Sequence, residues 1–585
     1  MGSVPASIDQ CQTMAIRLLR GPVASALCVL AMSGCGGSGG GGDVGAPATP
    51  DVPSPAATAP TVSAQPQSME VQLDAAASFS VSAQGTDLVY KWQKDGIDIA
   101  GATAATLALS KVSLADSGHR FRVIVSNAGG SVSSQEARLM VTDKTWQAPH
   151  MVDADDKVQV MRSWPRLAID GQGNEIAVWS RDSDQTNHPS RIWVSRFDAQ
   201  SSTWSVAKTI DTVSARYGDQ PQIASNTAGD TVVVWQEAIG GGANHVLAAN
   251  HFADADLWSS PAQLDTSLAG TGAVTPTTTT RPQVSIDAAG NAIAAWRQVD
   301  AAGHVSVGAS RFDRSTLKWQ PPTLIDAGSG RVADAAIAVA TDAAGNAVAL
   351  WLQSDGTRNN LWANRFDAAA KAWGSPGLVE SDDADIPAAP SLAVQSNGNA
   401  LAVWPQGKLK ASWYNASTRA WGTAADLDST SGDANTVQAA VDANGNAMAI
   451  WRLSTTTNYQ VRAARFEVSS GQWSAATTIN TTILTGGTLL PRISFDAAGN
   501  AMALFANRDK DSLLDAVKAR RFYASSGEWG ASITLQQPTG IGSAGVADIA
   551  CHPDGRVVSF WSRFESGGTN ITKSVLYASH YTVGP

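Results

Sequence analysis

Acidic residues recur at one place in a repeating pattern. Asp153, Asp211, Asp265, Asp326, Glu380 and Asp428 each close a segment that opens with a tryptophan, and Asn480 and Gln536 take the same place in two further segments. A ring of carboxylates could hold Ca²⁺ or the hydroxyls of a sugar, since both take carboxylate oxygens. The plainer reading, and the one favoured here, is that each acid caps a turn where the chain leaves a sheet. His188, His245 and His304 fall in three successive units. They make a zinc site only if they converge to about 2 Å from one ion, and loops of neighbouring units start too far apart unless they lean inward. Trp164, Trp193, Trp362 and Trp413 stand outside the periodic tryptophans. Exposed aromatics can stack on sugars, but Trp193 and Trp362 lie within strands and are expected to pack between units. No H-E-x-x-H or P-loop is present, and the only G-x-S-x-G match is "GGSGG" at 36–40, in a glycine run. No catalytic residue is therefore assigned, and no metal ligand.

The elements that must position these residues are written eight times. "DAAGNAIAAW" at 287–296 returns as "DGQGNEIAVW" at 170–179, "DAAGNAVALW" at 342–351 and "DANGNAMAIW" at 442–451, with looser copies ending at Trp235, Trp404, Phe505 and Trp561. The closing aromatics are 47 to 61 residues apart. A second series, Trp146, Trp204, Trp258, Trp319, Trp373, Trp421, Trp473 and Trp529, runs between them. A third element, such as "VSRFDA" or "WANRFDA", ends near Phe197, Phe312, Phe366, Phe466 and Phe522. Each unit reads as four short strands: "PQVSI", the D-x-x-G-N turn, "AIAAWRQ", "VSVGASRF", and a strand opening at the second tryptophan. Glycine supplies the positive φ of the tight turn, and Asp or Asn caps its amides. Four strands at this period predict a β-propeller. The last unit lacks its tryptophan strand, and "TWQAPHMVDADD" at 145–156 is a spare one ahead of the first. The expectation is an eight-bladed propeller over 143–585, closed by that N-terminal strand, which removes the exposed edges. The turns share one face and repeat. The opposite face carries loops that differ in every unit, such as 181–190, 237–245, 267–281 and 380–389, and loops of that kind are where binding sits. Innermost strands such as "RLAI", "QVSI" and "RISF" read as mostly small or apolar, which favours binding over catalysis. Asp287 and Trp296 lie nine positions apart, wider than in the Asp-box of sialidases, so sialidase activity is not expected.

Residues 60–142 resemble a bacterial immunoglobulin-like domain of the I-set type, on "LVYKWQK" around Trp92 and the corner "LADSGHRFRV". The resemblance implies a β-sandwich in which Phe121 replaces the corner tyrosine and Val81 and Val123 replace the cysteine pair. Its implied role is a spacer. Upstream, Arg17 and Arg20 precede the apolar "GPVASALCVLAMSG", the pattern of an export signal too short to span a membrane. The run into Ser33, Gly34 and Cys35 resembles a bacterial lipobox, with Met32 in place of the usual leucine. Residues 1–35 are thus read as a lipoprotein signal with Cys35 acylated, and 36–59 as a flexible Gly/Pro/Ala tether. Met14 is an alternative start. Loss of Cys11 and Cys28 with the signal leaves Cys551 alone, expected as a small buried apolar residue.

Net charge is −10 with no basic run, which argues against nucleic acid as partner. The fold class expected is all-β throughout. The function expected is a monomeric exported protein at the outer membrane or cell surface, attached to the membrane through its lipid and binding glycan or a surface protein. The alternatives are a propeller glycosidase or lyase, and a structural envelope component.

Overall fold

The computed structural model describes residues 57–153, 165–182, 190–211, 217–239, 243–265, 282–299, 304–326, 331–333, 337–430, 432–455, 458–480, 490–508, 515–536, 544–566 and 571–583. Cys35, Trp164, His188 and the loop at 267–281 lie outside them.

The described chain is almost entirely β, with one short 3₁₀ turn at Leu114–Asp116. From 144 onward it forms eight antiparallel sheets of one pattern. In one of them Gln283–Ile286 pairs with Ala292–Val299, which pairs with Val305–Asp313. The outer strand then comes in two pieces, Lys318–Trp319 and Thr323–Leu324. The intervening "QPP" explains the break in this sheet, because proline has no N–H to give the ladder.

The first strands of these sheets touch in cyclic order: Arg166–Ile169, Tyr217–Ser225, Gln283–Ile286, Ala338–Thr341, Ser391–Val394, Asp433–Val441, Arg492–Phe495 and Ala544–Cys551, and the last meets the first. Sheets arranged radially about an axis make a β-propeller. The ring closes by sequence-distant pairing, since Lys144–Trp146 and His150–Met151 lie along Ile571–Val583.

The repeat letters have separate physical jobs. The motif aromatics are among the largest fully buried side chains, with Trp179, Trp235, Trp351, Trp404, Trp451, Phe505 and Trp561 all at 0% exposure and Trp296 at 1%. They fill the space between consecutive sheets. The second tryptophan series is half-buried and sits against the ring that ends the third strand, as Trp319 does on Phe312 at 5.5 Å between ring centres and Trp421 on Tyr414 at 5.4 Å. In the turn, Asp287 Oδ1 accepts the amides of Ala289 and Asn291 at 2.9 and 2.8 Å, and Asn291 Nδ2 donates to Asp287 Oδ2 at 2.9 Å. Gly290 has φ +84°, the left-handed conformation that glycine adopts at least cost.

Residues 57–142 form a separate set of strands around Trp92, Phe79, Phe121, Val123 and Leu139. Phe121 stacks on Phe79 at 4.8 Å, and Val81 and Val123 are both buried. Trp92 Nε1 donates to the Ala104 carbonyl at 2.9 Å. These strands are joined to the propeller by direct contacts. Thr142 Oγ1 lies 2.9 Å from the Tyr581 hydroxyl, and Arg138 donates to the Ser525 carbonyl at 3.0 Å. Burial pushes the Glu70 carboxyl up, against hydrogen bonding from Tyr523 and the charge of Arg521.

Candidate functional site at the channel mouth

The six sequence-selected acids belong to six different sheets and are each engaged within the chain. Three are held by the third strand of their own sheet. Asp211 pairs with Arg191 at 2.7 Å, Asp265 with His245 at 3.0 Å, and Asp326 accepts the Val307 amide at 3.2 Å. Burial raises the carboxyls of Asp211 and Asp265. The other three reach the next sheet. Asp153 pairs with Arg181, Glu380 accepts Gln406 Nε2 at 3.1 Å, and Asp428 pairs with Arg462 at 2.9 Å. Gln536, at the equivalent place, accepts the indole N–H of Trp561. Position by position, the end of the fourth strand therefore fastens a sheet either to itself or to its neighbour. Among the described residues no three His, Cys, Asp or Glu side chains stand close enough to hold a metal ion.

The unpaired tryptophans also have internal surroundings. Trp193 packs at one inter-sheet core with Arg181 over its ring at 4.1 Å, and Trp362 packs at another. Trp413 lies 5.1 Å from Phe466. Cys551 donates from Sγ to the Ser494 carbonyl at 3.3 Å, and burial pushes its thiol up to about 12, so it stays a protonated, unreactive filler.

The structure reveals a polar belt where the inner strands begin. Arg166, Gln222, Gln283, Ala338, Ser391, Gln438, Arg492 and Asp548 occupy one equivalent position, each opposite the residue just before a motif aromatic. Strands such as Arg166–Ile169 and Arg492–Phe495 are otherwise small or apolar, as expected, but this one position departs from that, since seven of its eight side chains are polar. The strands run from this end toward the D-x-x-G-N turns, so the belt lies at the loop-bearing end of the channel.

Part of the belt exists because the free edge of an inner strand has amides without a ladder partner. The neighbouring sheet supplies acceptors: Gln438 Oε1 to the Ile493 amide at 2.8 Å, Ser391 Oγ to Ala439 at 2.9 Å, and Asp548 Oδ2 to Leu167 at 3.3 Å. Arg166 Nε donates to Gln222 Oε1 at 3.1 Å. Arg492 Nε lies 3.9 Å from Asp548 Oδ1, and burial lowers the guanidinium pKa against that carboxylate's pull. The signal in sequence was one letter per unit, four residues before each D-x-x-G-N turn, and varying letters at that spot hid it.

No protein-family model matches the chain. A curated relative, Endoglucanase C of Cellulomonas fimi, is 35% identical over 131 residues, which is 21% of this chain. The chain spans only 12% of that protein's length. Among solved structures, a polysaccharide lyase, an ulvan lyase, is 12% identical, covering 61% of this chain and 90% of its own, with a TM-score of 0.39. The Dos1 propeller is 9% identical, covering 73% and 94%, with a TM-score of 0.42. Likenesses at that level decide nothing about the site.

Proposed function

We propose that this chain is an exported, lipid-anchored binding protein that takes glycan at the loop-bearing face. In this reading Cys35 carries the lipid, 36–59 is the tether, 60–142 is an immunoglobulin-like module, and 143–585 is an eight-bladed propeller. The observation that carries it is the belt at the channel mouth. Amides, a hydroxyl, two guanidiniums and one carboxylate on equivalent positions offer the mixed donors and acceptors that sugar hydroxyls require. The repeated D-x-x-G-N carboxylates are taken up by their own turns, as that of Asp287 is. The partial likeness to Endoglucanase C supports a carbohydrate setting for at least part of the chain.

A glycan array probed with the protein, with and without EDTA, tests the reading. Saturable binding that Arg492→Met weakens by about tenfold or more is expected. Loss in EDTA would make the strand-end acids Ca²⁺ ligands, and indifference to EDTA would leave them as fasteners. An array without any binding would overturn the glycan reading in favour of a protein partner.

A further inference from the structure

The seam where the ring closes departs from the repeat at two facing positions. After the G-N of the turn, five other sheets carry alanine, at Ala292, Ala347, Ala400, Ala447 and Ala501. The first sheet carries Glu175 there, 3% exposed. Before the aromatic of the "RF" element five sheets carry arginine, at Arg196, Arg311, Arg365, Arg465 and Arg521, whereas the closing sheet carries His580. Glu175 Oε1 and His580 Nε2 are 2.9 Å apart. A carboxylate buried in place of a methyl group, beside a histidine in place of arginine, is not what closing the ring requires.

A cavity of about 360 Å³ on the turn face is lined by this pair, within the usual range of small-molecule sites. His150, on the N-terminal strand, stacks parallel to His580 with ring centres 5.4 Å apart, and Phe197 covers the other side at 4.5 Å. Two buried polar atoms of the lining have no partner among the described residues: Glu175 Oε2 and His150 Nε2. Buried polar atoms are left unmatched rarely, because each costs the hydration it lost.

We propose that this cavity is a second ligand site, which takes a neutral polyhydroxyl compound the size of one sugar ring. Glu175 and Arg556 both line the cavity, so neither a cation nor an anion meets a field of one sign. A hydroxyl can donate to Glu175 Oε2, and a second can pair with His150 Nε2, satisfying both atoms at once. The site is independent of the reading at the channel mouth.

The test is saturation-transfer NMR on the full chain with the methyl glycosides of glucose, galactose and mannose, and myo-inositol, as probes. Saturable transfer to at least one probe is expected, weakened about tenfold or more by Glu175→Ala. The double variant Glu175→Ala/His580→Arg rebuilds the letters that five other sheets use at each position, so it keeps the fold while removing the carboxylate and the imidazole from the site, and it must also lose binding. Absence of saturable transfer in the wild-type chain, or undiminished binding in the double variant, would overturn the proposal. Any glycan-array binding at the loop face should persist in the double variant, so the two readings fail separately.

Discussion

At the residue scale, the repeated letters are explained by hydrogen bonds that close locally. One Asp287 oxygen takes two amides and the other takes the Asn291 side chain. The same arrangement recurs at Asp342, where Oδ1 takes Ala344 and Asn346, and at Asp442 and Asp496. Asp287→Ala should destabilise the protein by about 1–3 kcal/mol, read as a lower denaturant midpoint, because amides at the turn lose their acceptor. An unchanged midpoint would mean water replaces the carboxylate without loss. This capping was legible in the sequence, since Asp, Gly and Asn at fixed offsets have few other physical explanations.

At the element scale, the second strand carries a device that the spacing alone did not expose. The indole N–H of Trp296, Trp351 and Trp404 donates to the glutamine two residues on, at 2.9, 3.0 and 2.9 Å, and Trp235 uses Glu237 at 2.9 Å. Two residues along a strand return to the same face, so the acceptor stands beside the ring. Arg181 and Leu453 hold that place after Trp179 and Trp451, and those two indoles have no partner among the described residues. Gln406 further donates to Glu380 and to the Ala384 carbonyl, at 3.1 and 2.8 Å. Gln406→Leu should therefore cost about 1–3 kcal/mol, stranding the Trp404 indole and leaving the buried Glu380 carboxylate with the Asp382 amide but without its side-chain donor. A loss below the scatter of a surface substitution would show that these groups find other partners.

At the scale of the whole molecule, closure joins residues more than 400 positions apart, and histidines stand at the joint. Burial, aided by the neighbouring His580, lowers His150 from its ordinary 6.5 to about 4. The unfolded histidine binds a proton near pH 6.5 and the folded one only near 4, so the unfolded state holds more protons between them. Stability from this group is full above pH 6.5 and is lost as pH falls toward 4. Thermal melts across that window should show a shallower decline for His150→Phe than for the wild type. Parallel profiles would remove His150 as the source. The contacts of Thr142 and Arg138 with Tyr581 and Ser525 fall at the same region, so the N-terminal strands are seated on the propeller near its seam.

Taken alone, the sequence determined the all-β class, the four-strand unit, the turn chemistry and the spare strand at 145–156, because period and turn residues are local properties. It also located the strand-end acids but could not say what faces them. Their partners, Arg181, Gln406 and Arg462, sit on the following sheet and become neighbours only when the sheets pack. The belt of Arg166, Arg492 and Asp548 and the seam of Glu175, His150 and His580 were beyond local pattern for the same reason. Each is a set of single letters in separate units, brought to one place by a ring that the tertiary structure closes.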